Sequence, residues 1–406
     1  RYGMKRKIYF AFLCICFFCM TEVVRATYVT IPTWSENALV ETSGEIGENF
    51  LDLSCESAIL ISQDTGEVLY EHNAHEKLRP ASVTKVMTIL LIMEEIDSGR
   101  LSYSDKIACS ENASSMGGSQ IWLDTTEELT VDEMLKAICV VSANDCTVAM
   151  AEHIAGSEEM FVEKMNQRAK ELGMNDTTFK NCHGIDEDGH ETSSYDIALM
   201  SRELLKNHPE ITKYTTIWMD SLRDGKSELV NTNKLIKNYQ GATGLKTGST
   251  SLALFNLSAS ATRENLSLIA VVMRAPTTKE RFSCARKLLD YGFSNYQYKK
   301  LAEKDCEVMK VPVMKGIEAE VAVKYSDSVG KVMKKKEDGN VEQEVIINGD
   351  IIAPIQKGDV LGNVFYRVNG EEVASVELVA DSSVEKLSFF NMGKRIVKKW
   401  FYLFRN

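Results

Sequence analysis

Arg79-Pro80-Ala81-Ser82-Val83-Thr84-Lys85 is the stretch that decides how this chain is read. Pro80 breaks what precedes it, and Val83 to Ile96 then runs apolar almost to Ser98-Gly99. The pattern predicts a helix with Ser82 in its first turn. A helix apolar on all sides belongs at the centre of a domain. Lys85 follows Ser82 by three residues and therefore shares its face. The partial positive charge of a helix N-terminus, apolar walls and any second cation all disfavour a protonated lysine there. A neutral Lys85 amine would take the proton of Ser82 and make it a nucleophile. Alone, Ser-x-x-Lys reads equally well as a capped helix with an exposed lysine.

Two further short motifs raise it above that. Ser142-Ala143-Asn144 interrupts the apolar run Ile138 to Val141, near the middle of Val131 to Ile154. The periodicity there predicts one helix, opened by a capping box of Thr130 with Glu133. Buried polar side chains need partners, and these two suit a proton relay to a leaving nitrogen and the orientation of a substrate amide. Lys246-Thr247-Gly248 follows the flexible Gly241-Ala242-Thr243-Gly244 and reads as a strand edge. Gly248 permits close approach of a substrate, Thr247 can hydrogen-bond a carboxylate, and Lys246 adds positive potential. If these elements face one another, the backbone N–H groups of Ser82 and Ser249 are natural oxyanion donors. The ordered set supplies what serine acyl transfer needs without a Ser-His-Asp triad.

The remainder places these motifs. With 406 residues the chain exceeds one typical domain. Hydrophobic residues at 44% are ample for a packed core. A formal net charge of −11 leaves no basic footprint for nucleic acid on the body of the protein. Lys5, Arg6 and Lys7 precede the apolar run Ile8 to Met20, and Val24-Arg25-Ala26 offers small-residue cleavage chemistry, so residues 1–26 read as an export signal. Residues 27–56 read as a linker. A hairpin at Ala58–Ile61 and Val68–Tyr70, helices at Met160–Leu172, Asp196–Lys206 and Lys279–Tyr291, and strands at Phe255–Thr262 and Leu266–Met273 fill a first domain, residues 57–295. Residues 296–383 alternate with a period of two between turns such as Asn348-Gly349 and Asn369-Gly370, as a small all-β domain. In residues 384–406, Phe389, Met392, Ile396, Trp400 and Phe404 share a helical face opposite Lys394, Arg395, Lys398 and Arg405, a pattern suited to an anionic membrane surface.

Ten cysteines include three in the export signal, and no CxxC pair occurs among the other seven, so neither a zinc site nor a disulfide framework is signalled. His183, Asp186, Asp188 and His190 match no metal-ligand spacing, and Asp188-Gly189 reads as a turn. No metal or other cofactor is expected.

Taken together, the three motifs, with Ser115-Met116-Gly117-Gly118-Ser119, His183-Gly184-Ile185 and Tyr195-Asp196-Ile197-Ala198, resemble the low-molecular-mass penicillin-binding proteins. These are the serine D-alanyl-D-alanine carboxypeptidases of bacterial cell walls, and the likeness is closest to those of sporulating Gram-positive bacteria. The resemblance covers Ser57 onward. It implies a serine β-lactamase/transpeptidase-like α/β domain, an antiparallel sheet flanked by helices, followed by a small β-sandwich. It implies Ser82 as nucleophile, Lys85 as base, Ser142 as relay and Asn144 as positioning group. Lys246, Thr247, Gly248 and Ser249 then form the substrate wall, with Arg281 near the substrate's terminal carboxylate. The partners it implies are peptidoglycan stem peptides ending in D-Ala-D-Ala, and β-lactams as covalent inhibitors, at the outer face of the cell membrane. Arg274 stands where such proteins often have glycine. A class A-type β-lactamase shares the motifs but needs a glutamate-held water, and Glu163 is the residue available on an amphipathic segment. A penicillin sensor that acylates without turnover is the other alternative.

Overall fold

The computed structural model describes residues 49–336 and 341–388. The export signal, the first part of the expected linker and the basic tail lie outside the described residues. The first strands, β1 (Ser57–Ser62) and β2 (Val68–His72), form the expected antiparallel hairpin, with Gly66 at a φ of 74° in its turn. A 3-10 turn at Ala81–Thr84 leads into α1 (Lys85–Asp97). Every residue from Lys85 to Met93 is buried, as an all-round apolar helix requires. Next come α2 (Val131–Val141), α3 (Asn144–Ala155), α4 (Glu158–Glu171) and α5 (Ser194–Asn207). Strands β3 (Ala242–Thr250), β4 (Leu254–Arg263) and β5 (Leu266–Ala275), then α6 (Thr278–Asn295), close the first domain.

The sheet runs β2-β1-β5-β4-β3 with every pair antiparallel. Its inner strands read as continuous apolar runs because both faces are covered. Ile269, Val271 and Met273 of β5 enter the core shared with α1 and α5, while Leu268, Ala270 and Val272 enter a second core under α6. Strand β1 divides likewise, with Ile59 and Ile61 on one side and Ala58 and Leu60 on the other. A period of two thus hides inside a run that composition alone shows as uniformly hydrophobic.

The single helix expected over Val131–Ile154 is two helices. The Thr130/Glu133 capping box opens α2 as read, but Ser142 takes a left-handed φ of 66° and ends it, and Ala143 caps α3. The polar pair that suggested an interruption marks the break itself.

The C-terminal domain comprises β6 (Tyr296–Ala302), β7 (Glu307–Pro312), β8 (Glu320–Tyr325), β9 (Val329–Lys334), β10 (Val341–Ile347), β11 (Val360–Val368) and β12 (Glu371–Ala380). Five strands form a sheet in the order β7-β8-β12-β11-β10, and β6 pairs with β9 in a separate ribbon. Asn369 and Gly370, with φ of 52° and 85°, make the tight turn between β11 and β12. Strands β6, β9 and β11 escaped the sequence reading, since Gly330 and Gly362 interrupt the alternation in two of them.

Both edges of the expected domain scheme shift. Residues 49–56, read as the end of a linker, pack on the first domain with Leu53 and Cys55 buried. Val384, read as the start of a helix, is buried and bridges Ile355, and the Leu387 N–H donates to the Lys315 carbonyl at 2.7 Å. Residues 384–387 are therefore extended and finish the β domain, because their apolar side chains have a core to enter. Among the described residues no helix is long and apolar enough to cross a membrane.

Candidate active site

Ser82 lies in the short 3-10 turn rather than in the first turn of α1, and Lys85 is the first residue of the helix. The turn is held tightly from two sides. A Cβ at Gly184, whose φ is 92°, would lie 1.9 Å from the Ala81 carbonyl oxygen. One at Gly248 would lie 2.9 Å from the Pro80 carbonyl oxygen and from the backbone nitrogens of Ser82 and Val83. Only glycine at both positions lets the His183–Ile185 loop and strand β3 approach the serine so closely.

The Lys85 side chain is completely buried. Its Nζ lies 3.0 Å from Ser82 Oγ, 2.6 Å from Asn144 Oδ1 and 2.6 Å from the His183 carbonyl oxygen. Burial, reinforced by the nearby Lys246 charge, pushes its pKa well below the usual lysine value. A neutral amine has two N–H donors and one lone pair. The two carbonyl oxygens can only accept, so they take both donors, and the lone pair is left for the hydroxyl of Ser82. That count leaves the lone pair of a neutral Lys85 facing the Ser82 hydroxyl.

Ser142 Oγ, also buried, has no hydrogen-bond partner, an arrangement that costs free energy unless something enters to complete it. Asn144 is pinned at both ends. Its Nδ2 donates to the Gly117 carbonyl at 2.7 Å, and its backbone N–H donates to the Ser119 carbonyl at 2.7 Å. A Cβ at Gly118 would come within 2.9 Å of Asn144 Nδ2. Asp145 extends the clamp, its carboxylate accepting from the backbone N–H groups of Ile121 (3.1 Å), Leu123 (3.0 Å) and Cys146 (2.9 Å). The Ser115–Ser119 segment is thereby tied to the start of α3.

Strand β3 supplies the opposite wall. Lys246 is buried, its Nζ donates to the Thr247 carbonyl at 2.9 Å, and burial, with Arg281 adding to it, lowers its pKa to about 7. Thr247 Oγ1 shares a 2.7 Å hydrogen bond with Thr232 Oγ1. Gly248 abuts the Ser82 backbone, which sets the N–H groups of Ser82 and Ser249 on neighbouring segments. Arg281, at the start of α6, is buried and donates from Nη1 to the carbonyls of Gly248 (3.2 Å) and Asn256 (3.3 Å). These contacts brace strand β3. Burial lowers its pKa to about 10.

The motif reading passed over several positioning residues. Asn256 on β4 donates from Nδ2 to the Arg79 carbonyl and accepts from the N–H of Arg274, which takes a left-handed φ of 55°. That conformation accounts for the glycine preference noted at Arg274. The His183 carbonyl that holds Lys85 is a backbone group and carries no side-chain signal. Of the candidate metal ligands, His190 Nδ1 accepts from the Lys180 N–H, its Nε2 faces Thr84 Oγ1 at 2.8 Å, and Asp188 pairs with Arg79, while Asp186 Oδ1 is buried without a hydrogen-bond partner. His183 faces Glu158 at 3.3 Å. Glu163 sits on the exposed side of α4.

Residues 44–277 match the family described as D-alanyl-D-alanine carboxypeptidase, peptidase S11, and residues 296–386 match the C-terminal domain of penicillin-binding protein 5. The chain is 46% identical over 376 residues to D-alanyl-D-alanine carboxypeptidase DacF of Bacillus subtilis, covering 92% of this chain and 96% of that one. It is 30% identical to DacC of Escherichia coli, covering 82% and 84%. Penicillin-binding protein 5 of Haemophilus influenzae superposes with a TM-score of 0.71 at 30% identity, over 82% of this chain and 98% of its own. The match over residues 44–277 and the 46% identity to DacF across most of both chains place the chain in the S11 family of D-alanyl-D-alanine carboxypeptidases.

Proposed function

We propose that this protein removes the terminal D-alanine from peptidoglycan stem peptides ending in D-Ala-D-Ala, through an acyl-Ser82 intermediate. The observation that carries the reading is Lys85 Nζ, buried, with both its donors committed and Ser82 Oγ at 3.0 Å. Ser82 Oγ adds to the carbonyl carbon of the penultimate D-alanine, and its proton passes to Lys85. The oxyanion takes the N–H groups of Ser82 and Ser249. Ser142 Oγ, buried and unpartnered, donates its proton to the leaving nitrogen and takes one from the protonated Lys85, so the peptide bond breaks and free D-alanine departs. Water then attacks the ester with Lys85 again as base, giving the shortened peptide and free Ser82. Asn144 orients the acyl-side amide. Lys246, Thr247 and Ser249 receive the terminal carboxylate along β3, and Arg281 adds positive potential while it braces Gly248.

A β-lactam presents a strained amide in place of the peptide and acylates the same serine. A relative of this fold, penicillin-binding protein D2 of Listeria monocytogenes, is described in an ampicillin-bound form. The lysine-flanked apolar run of residues 1–26 supports export, and the basic aromatic tail supports attachment to the outer face of the membrane through residues 389–406. Intact-mass measurement after penicillin tests the central step. The native chain should gain one penicillin mass and Ser82→Ala none, and only the native chain should release D-alanine from a D-Ala-D-Ala peptide. Acylation of Ser82→Ala would overturn the assignment.

A further inference from the structure

Two cysteines that the active site does not use meet at the junction between residues 49–56 and α6. Cys55 and Cys284 are both buried in the same core under α6, and each thiol acts on the other, pushing the Cys55 pKa up and the Cys284 pKa down. Ser54 Oγ lies 3.6 Å from Cys284 Sγ. The same short segment is laid along α6 by other contacts. Lys287 Nζ donates to the carbonyls of Asp52 (2.8 Å) and Leu51 (3.3 Å), and the Phe50 ring stands edge-on to Tyr291 at 5.4 Å. The two sulfur atoms are thus brought together by backbone on both sides. The other described cysteines are not so paired; Cys306, for example, is exposed in the β domain.

We propose that Cys55 and Cys284 are a disulfide-forming pair that fastens residues 49–56 to α6, one turn beyond Arg281. The oxidant is a disulfide compound of the kind met outside the cytoplasm. Cys284 thiolate attacks one sulfur of that compound and expels a thiolate, leaving a mixed disulfide. The Cys55 thiol gives up its proton, attacks Cys284 Sγ and releases the second thiol. Two protein thiols are oxidised to one S–S bond, and one small disulfide is reduced to two thiols. Accepting a hydrogen bond from Cys55 lowers the Cys284 pKa to about 6 and favours it as the first nucleophile. Both cysteines are buried, so the reagent reaches them through local opening of residues 49–56 from α6.

The test uses the purified full chain, equilibrated with reduced and oxidised glutathione, then denatured and alkylated before proteolysis. The expected product is one linked species joining the Cys55 and Cys284 peptides, lighter than their sum by two hydrogens, with Cys109, Cys139, Cys146 and Cys182 alkylated. Because the closed loop is long, adding reductant should lower the unfolding midpoint by roughly 5–10 °C in the native chain. The same reductant should leave the Cys55→Ser/Cys284→Ser variant unchanged, and its acylation by penicillin at Ser82 reports that it folds. Alkylation of both cysteines across the whole redox range, persistent glutathione adducts, or pairing with other cysteines would overturn the proposal.

Discussion

Lys85 owes its chemistry to what surrounds its nitrogen. Two carbonyl acceptors at 2.6 Å fix the amine's donors, and burial together with the Lys246 charge pushes its pKa well below the usual lysine value. The sign of the pH dependence follows. Lys85 must be neutral to act, so acylation is lost as pH falls through its lowered pKa. Lys246, with a pKa of about 7, is the charged one on the acid side and loses its proton above that value. Carboxylate binding should therefore weaken as pH rises past about 7, and kcat/KM should fall on that side through KM. Lys246→Ala should abolish the alkaline limb and move the acid limb to higher pH, since the cation that suppresses Lys85 protonation is gone. Stopped-flow acylation across pH measures both limbs. An unmoved acid limb would show that Lys246 does not act on Lys85.

The element that matters most is β3, whose fit against the serine turn depends on the absence of one side chain. The 2.9 Å approaches at Gly248 involve backbone atoms of Pro80, Ser82 and Val83, which cannot rotate away as a side-chain tip would. Gly248→Ala must therefore push the strand from the turn and spoil the oxyanion geometry. A displacement of a few tenths of an ångström at such a site costs on the order of 10²-fold in acylation rate. Steady-state penicillin acylation and D-alanine release should both show that loss while circular dichroism stays native. Near-normal rates would mean that the strand and the turn need not touch. The split between α2 and α3 belongs to this scale as well, because the left-handed Ser142 ends α2 and lets α3 begin at Asn144, whose Oδ1 holds Lys85.

Across the whole molecule, the two domains are joined by more than a linker. Val332 of β9 and Tyr296 of β6 are part of the core under α6, and Lys331 lies 3.4 Å from Glu67 of the first domain. The β domain ends at residues 384–387, whose strand-like pairing with Ile355 and Lys315 is part of its fold. A truncation meant to release the protein from a membrane should accordingly fall after Ser388. That variant is expected to remain in the supernatant on centrifugation with anionic vesicles while keeping full acylation activity, and the complete chain should pellet. Co-sedimentation of the truncated protein would locate the membrane contact elsewhere. Cutting before Val384 instead removes a buried valine and should cost about 2–3 kcal/mol in the β domain.

The motifs on which the proposed chemistry rests were legible in the linear chain because their spacing is local: one turn sets Ser82 beside Lys85, and period-two alternation sets Lys246 and Gly248 on one strand. The hairpin, the capping box and most of the helices are likewise fixed within a few residues of themselves. What had to wait for folding is everything defined by an approach between distant segments, such as the His183 carbonyl at Lys85, Gly184 against Ala81, Asn256 behind Arg79 and the meeting of Cys55 with Cys284. These contacts draw on backbone groups and on pairs of residues far apart in the chain, and no local periodicity encodes which of them will touch.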